Sequence, residues 1–201
     1  MKLTIRILAS FLKKNYIFIF LFGLIIGFSE RFIGSLQMPY GSVVLNTILI
    51  LILSIARTVF PQRGTSLLIV SIAVLFKINS IGICNCTNNI LFCGPAAMIF
   101  TGVFYEIFAN IFTTNNFYRY TNFIIVCILT AFVSFSVFAL MNTFILKTWD
   151  TSRLLQYIFI KGTLTAIASS ILSLIGIFFV ISFKSENFTR HHPDIANEYL
   201  A

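Results

Sequence analysis

The residue best suited to ligand chemistry in this sequence is Glu106, an acidic side chain inside an otherwise apolar stretch. Counted from Pro95, where a helix is predicted to begin, it lies about 16 Å along the helix at the usual rise per residue. Gly102 and Asn110 stand four residues to either side, on the same helical face. Glu106 and Asn110, with the neighbouring Tyr105, are therefore predicted to contact a small solute, and Gly102 is predicted to leave space beside the carboxylate.

Further polar residues are predicted to complete this site, and they are Asn85, Asn88, Asn89 and Lys161. The three amides lie in one short loop and make directional hydrogen bonds that suit a small polar ligand. We expect the ligand to lie beneath this loop and to reach toward Glu106. The structural alternative is a buried ion pair of Glu106 with Lys161 or Arg57, or a protonated Glu106 bonded to backbone.

Three cysteines in the stretch ICNCTNNILFCGP, Cys84, Cys86 and Cys93, form a second candidate group. Their C-x-C-x6-C spacing fits neither a zinc site nor an iron–sulfur site, and a redox pair more usually reads C-x-x-C. Structural thiols, a disulfide with one cysteine left over, and a soft-metal site all stay open. The vicinal His191 and His192 lie in the predicted polar tail and lack a third ligand at a metal-site spacing, so no metal site is predicted there, and no cofactor is predicted.

The composition indicates a membrane protein. Of the 201 residues, 58% are hydrophobic and 10% are Asp, Glu, Lys or Arg, whereas soluble proteins carry about 25% charged residues. Such a chain has more apolar surface than a soluble domain of this size buries, which excludes a soluble enzyme. The net charge of +8 comes with no basic run interleaved with aromatic residues outside the apolar stretches, so nucleic-acid binding is not expected.

Six apolar stretches have about the length that a membrane-spanning helix needs. They are 16–33, 43–60, 65–83, 91–112, 123–146 and 157–183. The third is the weakest, because its uninterrupted apolar core ends at Phe76 and Lys77 and Asn79 follow. The sequence therefore predicts an all-α integral membrane protein, with one six-helix transmembrane domain over 1–184 and a short cytoplasmic polar tail over 185–201.

Basic residues predict the orientation of this bundle. Lys2, Arg6, Lys13 and Lys14 precede the first apolar stretch, which lacks a signal-peptide cleavage site and is expected to remain as a helix. By the positive-inside rule this end is cytoplasmic, and six spans put both termini there. Nine Lys and Arg residues then lie on the inner side and five on the outer side. We expect a multi-pass protein of a prokaryotic plasma membrane.

Two stripes of small residues predict close contacts between helices. Gly23 and Gly27 form a G-x-x-x-G pair in the first helix, and Gly162, Ala166 and Ser170 repeat at four-residue spacing in the sixth. One stripe can pack inside the bundle while the other meets a partner.

Together these features resemble the substrate-binding S component of an energy-coupling factor (ECF) type ABC transporter. The stretch PYGSVVLNTILILILSIARTVFPQRGTSLLIVSIAVLFK is similar to the second and third helices of that family, joined by a short basic turn. GPAAMIFTGVFYEIFANIF is similar to its fourth helix with an internal Glu. Gly23 and Gly27 resemble the small-x-x-x-small pair by which its first helix docks on the transmembrane coupling subunit. The His-rich N-terminus of the cobalt and nickel members is missing.

The resemblance implies a non-enzymatic binding protein, with no catalytic residue, that captures a vitamin or other micronutrient from outside the cell. Its partners would be a transmembrane coupling subunit and two ATPase subunits, and the chain has no G-x-x-x-x-G-K-[ST] phosphate loop of its own. Two other functions stay open: a membrane thiol–disulfide oxidoreductase that uses the outer cysteines, and a scaffold or regulatory subunit without a ligand.

Overall fold

The computed structural model of the chain describes residues 2–35, 40–80, 93–112, 119–145, 147 and 149–191, and among these it describes the side chains of 16–33, 40–78, 94–112, 121–145, 147 and 149–182. All regular structure in these residues is helical. The helices are α1 (Lys2–Ser35), α2 (Gly41–Val59), α3 (Thr65–Ser80), α4 (Cys93–Phe112), α5 (Arg119–Leu140), α6 (Thr151–Gln156) and α7 (Thr163–His191). A π-helical segment, Met141–Ile145, continues α5, and another, Tyr157–Gly162, joins α6 to α7.

Among the described residues, five helical segments are long and apolar enough to cross a membrane, and they are Tyr16–Ile33, Gly41–Val59, Gly94–Phe112, Thr121–Ile145 and Thr151–Ser182. The third predicted span corresponds to a shorter apolar helix, Thr65–Ile78, which ends where polar residues enter the sequence. These helices agree with the predicted all-α, multi-pass membrane protein. The count of six spans and the position of the termini stay predictions. α7 continues to His191, into the stretch predicted as a polar tail.

Large apolar side chains cover the outside of the bundle. On α7, Ile167, Ile171, Ile175 and Phe178 are 49–61% exposed. Their spacing of three to four residues puts them on one face of the helix. Such a continuous apolar face favours association in water, whereas lipid chains solvate it, which agrees with a membrane location.

Contacts between helix ends define two ends of the bundle. At the first, which we call the Gly64 end after the turn between α2 and α3, Glu106 of α4 contacts that turn. At the second, which we call the Tyr40 end after the residue that precedes α2, Glu30 of α1 pairs with Lys77 of α3. Between these ends α2 occupies the centre, in contact with α1, α3, α4, α5 and α7.

Gly23 and Gly27 bring α1 against α3 within the chain. A Cβ atom at Gly23 would lie 2.7 Å from Cβ of Ile72, and one at Gly27 would lie 3.2 Å from Cβ of Phe76. The first distance is shorter than the normal approach of two carbon atoms, so the absence of a side chain at Gly23 permits this helix contact. The stripe in the last helix is also internal, since Ala166 is 3% exposed. Both stripes therefore pack inside the bundle.

The turn between α2 and α3 depends on Gly64, whose φ angle is +85°. Glycine adopts this left-handed conformation without the strain that a Cβ atom brings. Its carbonyl oxygen accepts the first helical hydrogen bond of α3, from the N–H of Leu68 at 3.0 Å. The other N–H groups of the first turn have no acceptor within the helix, so an acceptor from another helix can satisfy them.

Candidate ligand-binding site

Glu106 supplies the acceptor for the start of α3. Its Oε1 accepts hydrogen bonds from the N–H of Gly64 at 2.7 Å and from Nδ2 of Asn110 at 3.1 Å, and its Oε2 accepts from the N–H of Ser66 at 3.3 Å. A carboxylate at this position satisfies helix donors and lies at the positive end of the helix dipole. Glu106, which is 5% exposed, thus joins α4 to the Gly64 turn.

Arg57 completes this cluster from α2. Its Nη1 lies 3.5 Å from Oε1 of Glu106 and donates to the carbonyl oxygen of Gln62 at 2.6 Å. Its Nη2 donates to Oδ1 of Asn110 at 2.6 Å. Both charged side chains are more than nine-tenths buried, and each has several polar partners. This arrangement is the ion pair between Glu106 and Arg57 that the sequence left open as the structural alternative.

The other residues predicted on α4 lie in the packed core. Tyr105 has no exposed surface, and its hydroxyl donates to Oγ of Ser54 at 3.1 Å. A Cβ atom at Gly102 would lie 2.7 Å from Cγ2 of Val70, so α3 fills the space that was predicted beside the carboxylate. Tyr105 and Gly102, which were predicted to contact a solute and to leave space for it, therefore make contacts between helices in the structure.

A cavity of about 280 Å³ lies at the Tyr40 end of the bundle. Its wall is formed by α1, α2, α4, the end of α5 and the π-helical segment before α7. The apolar residues of this wall are Ile26, Ile33, Leu45, Ile48, Leu49, Ala97, Met98 and Phe138, and the polar ones are Ser29, Glu30, Ser42, Asn46 and Tyr157. A mostly apolar cavity of a few hundred Å³ with a small number of polar groups is the usual form of a small-molecule site.

The charged residue of this wall is Glu30, which is 9% exposed. Its Oε1 accepts a hydrogen bond from Nζ of Lys77, and Gly94 lies so close that a side chain there would collide with Lys77. Its Oε2 is buried and has no hydrogen-bond partner among the residues that the structure describes. Leaving a buried polar atom unsatisfied costs about 1–3 kcal/mol. Because the last torsion of a Glu side chain is broad, a small rotation of the carboxylate would let a bound solute donate to it.

Asn46 and Ser42 provide neutral polar groups one turn apart on α2. Nδ2 of Asn46 donates to the carbonyl oxygen of Ser42 at 3.1 Å, and its Oδ1 accepts from Oγ1 of Thr101 at 3.1 Å. These two bonds fix the orientation of the amide. An amide nitrogen carries two protons, and one of them remains for a ligand in the cavity.

The remaining predicted site residues do not join Glu106. Lys161 lies at the Tyr40 end, where its Nζ is 3.4 Å from Oγ of Ser42, whereas Glu106 lies at the opposite end of α2. Lys161 is therefore close to the cavity, although it does not contact Glu106. The residues Asn85, Asn88, Asn89, Cys84 and Cys86 lie outside the described part of the chain, and so does the side chain of Cys93.

The site that the sequence predicts does not include Glu30, Ser42 or Asn46. A signal for Glu30 exists in the sequence. It lies near the end of the first apolar stretch, and Lys77 lies near the end of the third. Successive spans alternate in direction, so the ends of the first and third lie on one side, where opposite charges can pair.

Comparisons of the chain with protein-family models, with curated proteins and with solved structures gave no match. Fold and site together define a multi-pass helical membrane protein with a mostly apolar cavity at one end of the bundle. A function is therefore inferred from the cavity and the residues around it.

Proposed function

We propose that this protein is a membrane-embedded binding subunit for uptake of a vitamin or other micronutrient, like the S component of an ECF transporter. The observation that carries the proposal is the cavity at the Tyr40 end, which is mostly apolar and has Glu30, Ser42 and Asn46 in its wall. Such a site suits a small solute with an apolar body and at least one hydrogen-bond donor, because Glu30 offers an oxygen that lacks a described partner.

In this proposal the Tyr40 end faces the outside of a prokaryotic plasma membrane, and the Gly64 end and both termini face the cytoplasm. The excess of Lys and Arg on the Gly64 side, which includes Arg57 and Arg63, supports this orientation. The cavity then opens toward the side from which a nutrient arrives.

ATP would be hydrolysed by other chains, because the sequence has no phosphate-binding loop. The proposed partners are a transmembrane coupling subunit and two ATPases. Gly23 and Gly27 are in contact with α3, so docking through this pair requires the contact between α1 and α3 to open. Ile17 and Phe20 on the outer face of α1 are 54% and 51% exposed and can meet a partner without that rearrangement.

A cavity-filling substitution tests the binding function. Protein purified from its native membrane should carry a small molecule that native mass spectrometry detects, and Ala97→Leu should remove it, because Ala97 lines the cavity. Ala168→Leu on α7, away from the cavity, is the matched control and should retain the molecule. Retention in the Ala97→Leu protein would contradict this cavity as the binding site.

Thiol labelling tests the orientation. In a protein whose four cysteines are replaced by Ser, Ser152→Cys at the Tyr40 end should react with a membrane-impermeant reagent in intact cells. Gln62→Cys at the Gly64 end should react only after the membrane is opened. Both positions are exposed. The opposite labelling pattern would place the cavity on the cytoplasmic side and would exclude uptake.

A further inference from the structure

A second pocket, which we call the Trp149 pocket, lies beside the cavity at the Tyr40 end. Its volume is about 280 Å³, and its lining residues are Tyr40, Trp149, Arg153, Gln156, Tyr157 and Lys161. Tyr157 also lines the cavity beside Glu30, so the two spaces share a wall. The charged residues of the two spaces differ, since Glu30 lines the cavity and the cations Arg153 and Lys161 line the Trp149 pocket.

Aromatic packing holds the floor of the Trp149 pocket in place. The ring centroids of Trp149 and Tyr157 are 4.6 Å apart, and Phe138 lies 5.8 Å from the first ring and 5.9 Å from the second. Such contacts between rings stabilise a fixed geometry. The pocket therefore has a rigid aromatic surface with the two cations beside it.

Arg153 and Lys161 each lie over one of these rings. Cζ of Arg153 is 5.4 Å from the centroid of Trp149, and Nζ of Lys161 is 4.7 Å from the centroid of Tyr157. Both distances permit a cation–π interaction, which orients a cation without neutralising its charge. The two positive groups are thus positioned around one pocket.

Neither cation has a carboxylate within 4.0 Å of its side-chain nitrogens among the described residues. The acid nearest in sequence is Asp150, whose oxygens accept hydrogen bonds from the N–H of Arg153 and the hydroxyl of Ser152, both at 3.0 Å. These bonds hold the pKa of Asp150 below its usual range, so Asp150 is an anion that caps the start of α6. Asp150 acts on the charge of Arg153 only without direct contact, so both cations can still pair with another anion.

We infer that the Trp149 pocket binds an anionic group, a phosphate or a carboxylate, between Arg153 and Lys161. The planar guanidinium of Arg153 can donate two parallel hydrogen bonds to such a group, and the ammonium of Lys161 adds a third donor. This inference does not depend on the proposed uptake function, because it concerns a different pocket. The group can belong to a soluble molecule or to the head group of an anionic lipid.

The protein contains one tryptophan, and it lies in this pocket, so its fluorescence reports binding directly. Lipid-free protein in a neutral detergent should show a saturable change in Trp149 emission when inorganic phosphate is added, with sodium chloride of equal ionic strength as the blank. Arg153→Gln and Lys161→Gln should each weaken the phosphate affinity by about tenfold or more. Lys147→Gln is the matched control, because this exposed cation lies in the same segment and does not line the pocket.

Reconstitution distinguishes the two sources of the anion. If the group belongs to a lipid, nanodiscs that contain phosphatidylglycerol should shift the Trp149 emission and suppress the phosphate response, relative to nanodiscs of phosphatidylcholine alone. If it belongs to a soluble molecule, the phosphate response should be equal in the two membranes. Either result supports the anion site. An unsaturable phosphate response in wild-type protein, or an equal response in the Arg153→Gln/Lys161→Gln protein, would overturn the inference.

Discussion

Two ion pairs in the described part of the molecule, one buried and one partly buried, lie at opposite ends of the bundle and differ in how completely their carboxylates are bonded. At the Gly64 end, both oxygens of Glu106 accept hydrogen bonds, and Arg57 bonds to two further oxygens. At the Tyr40 end, Lys77 bonds to one oxygen of Glu30, while the other oxygen lacks a described partner and the residue lines a cavity.

The difference teaches that a buried charge inside a predicted span is not by itself a sign of ligand binding. The hydrogen bonds of Glu106 are used to join three helices, so little capacity remains for a solute. Glu30 retains unused hydrogen-bonding capacity, and a cavity lies beside it. The number of hydrogen bonds that a buried carboxylate already makes therefore distinguishes a structural role from a binding role better than its depth in the membrane does.

The largest effect on stability is expected for Glu106→Ala. Removing this carboxylate leaves Arg57 buried without its counter-charge, and breaking a buried pair in this way costs about 3–5 kcal/mol. Glu30→Ala should cost less, because the side chain of Lys77 is 25% exposed and can reach solvent. Unfolding of both purified proteins by sodium dodecyl sulfate in mixed micelles measures the two free energies. Equal losses would remove the distinction between the two pairs.

A smaller loss is expected for Gly23→Leu. The new side chain would enter space that Ile72 occupies, and overpacking of a helix contact costs about 1–3 kcal/mol. Gly27→Ala should lower the free energy of unfolding less, since its Cβ atom would lie 3.2 Å from the nearest atom of Phe76. The same unfolding assay checks both proteins. A Gly23→Leu protein as stable as wild type that no longer binds a coupling subunit would show that this face serves a partner.

Gly64→Ala should lower stability by about 1–2 kcal/mol, because a side chain at a φ of +85° is strained. Among the described residues, no atom beyond the chain neighbours of Gly64 lies within 4 Å of the position of its Cβ, so the loss would come from the backbone conformation. Arg63→Ala, at the neighbouring exposed position, is the control. An unchanged free energy of unfolding in the Gly64→Ala protein would mean that the turn has another conformation.

The smallest effect is expected for Tyr105→Phe. It removes the hydrogen bond to Ser54 and leaves the ring in the core, so stability should fall by about 0.5–1.5 kcal/mol. Retention of the co-purifying small molecule should be unchanged in native mass spectrometry. Loss of that molecule without loss of stability would show that Tyr105 belongs to the binding site.

Most of the helices were predictable from the sequence, whereas the cavity at the Tyr40 end was not. The apolar stretches determine the helices, because a chain in lipid must form its backbone hydrogen bonds within each helix. The sequence offered both Arg57 and Lys161 as ion-pair partners of Glu106, and it could not choose between them because hydropathy does not say which helices meet. The cavity depends on side chains from four helices, such as Glu30 and Asn46, and no spacing along one helix reveals that juxtaposition.

The most direct test of the central claim compares Glu30→Gln and Glu106→Gln for retention of the small molecule that co-purifies with the protein. Native mass spectrometry of the folded fraction measures the occupancy of each, and an unfolding curve measures its stability. We expect Glu30→Gln to lose the molecule and stay folded, and Glu106→Gln to keep the molecule in whatever fraction remains folded. A folded Glu106→Gln protein without the molecule, together with a fully occupied Glu30→Gln protein, would contradict the assignment of binding to the Tyr40 end.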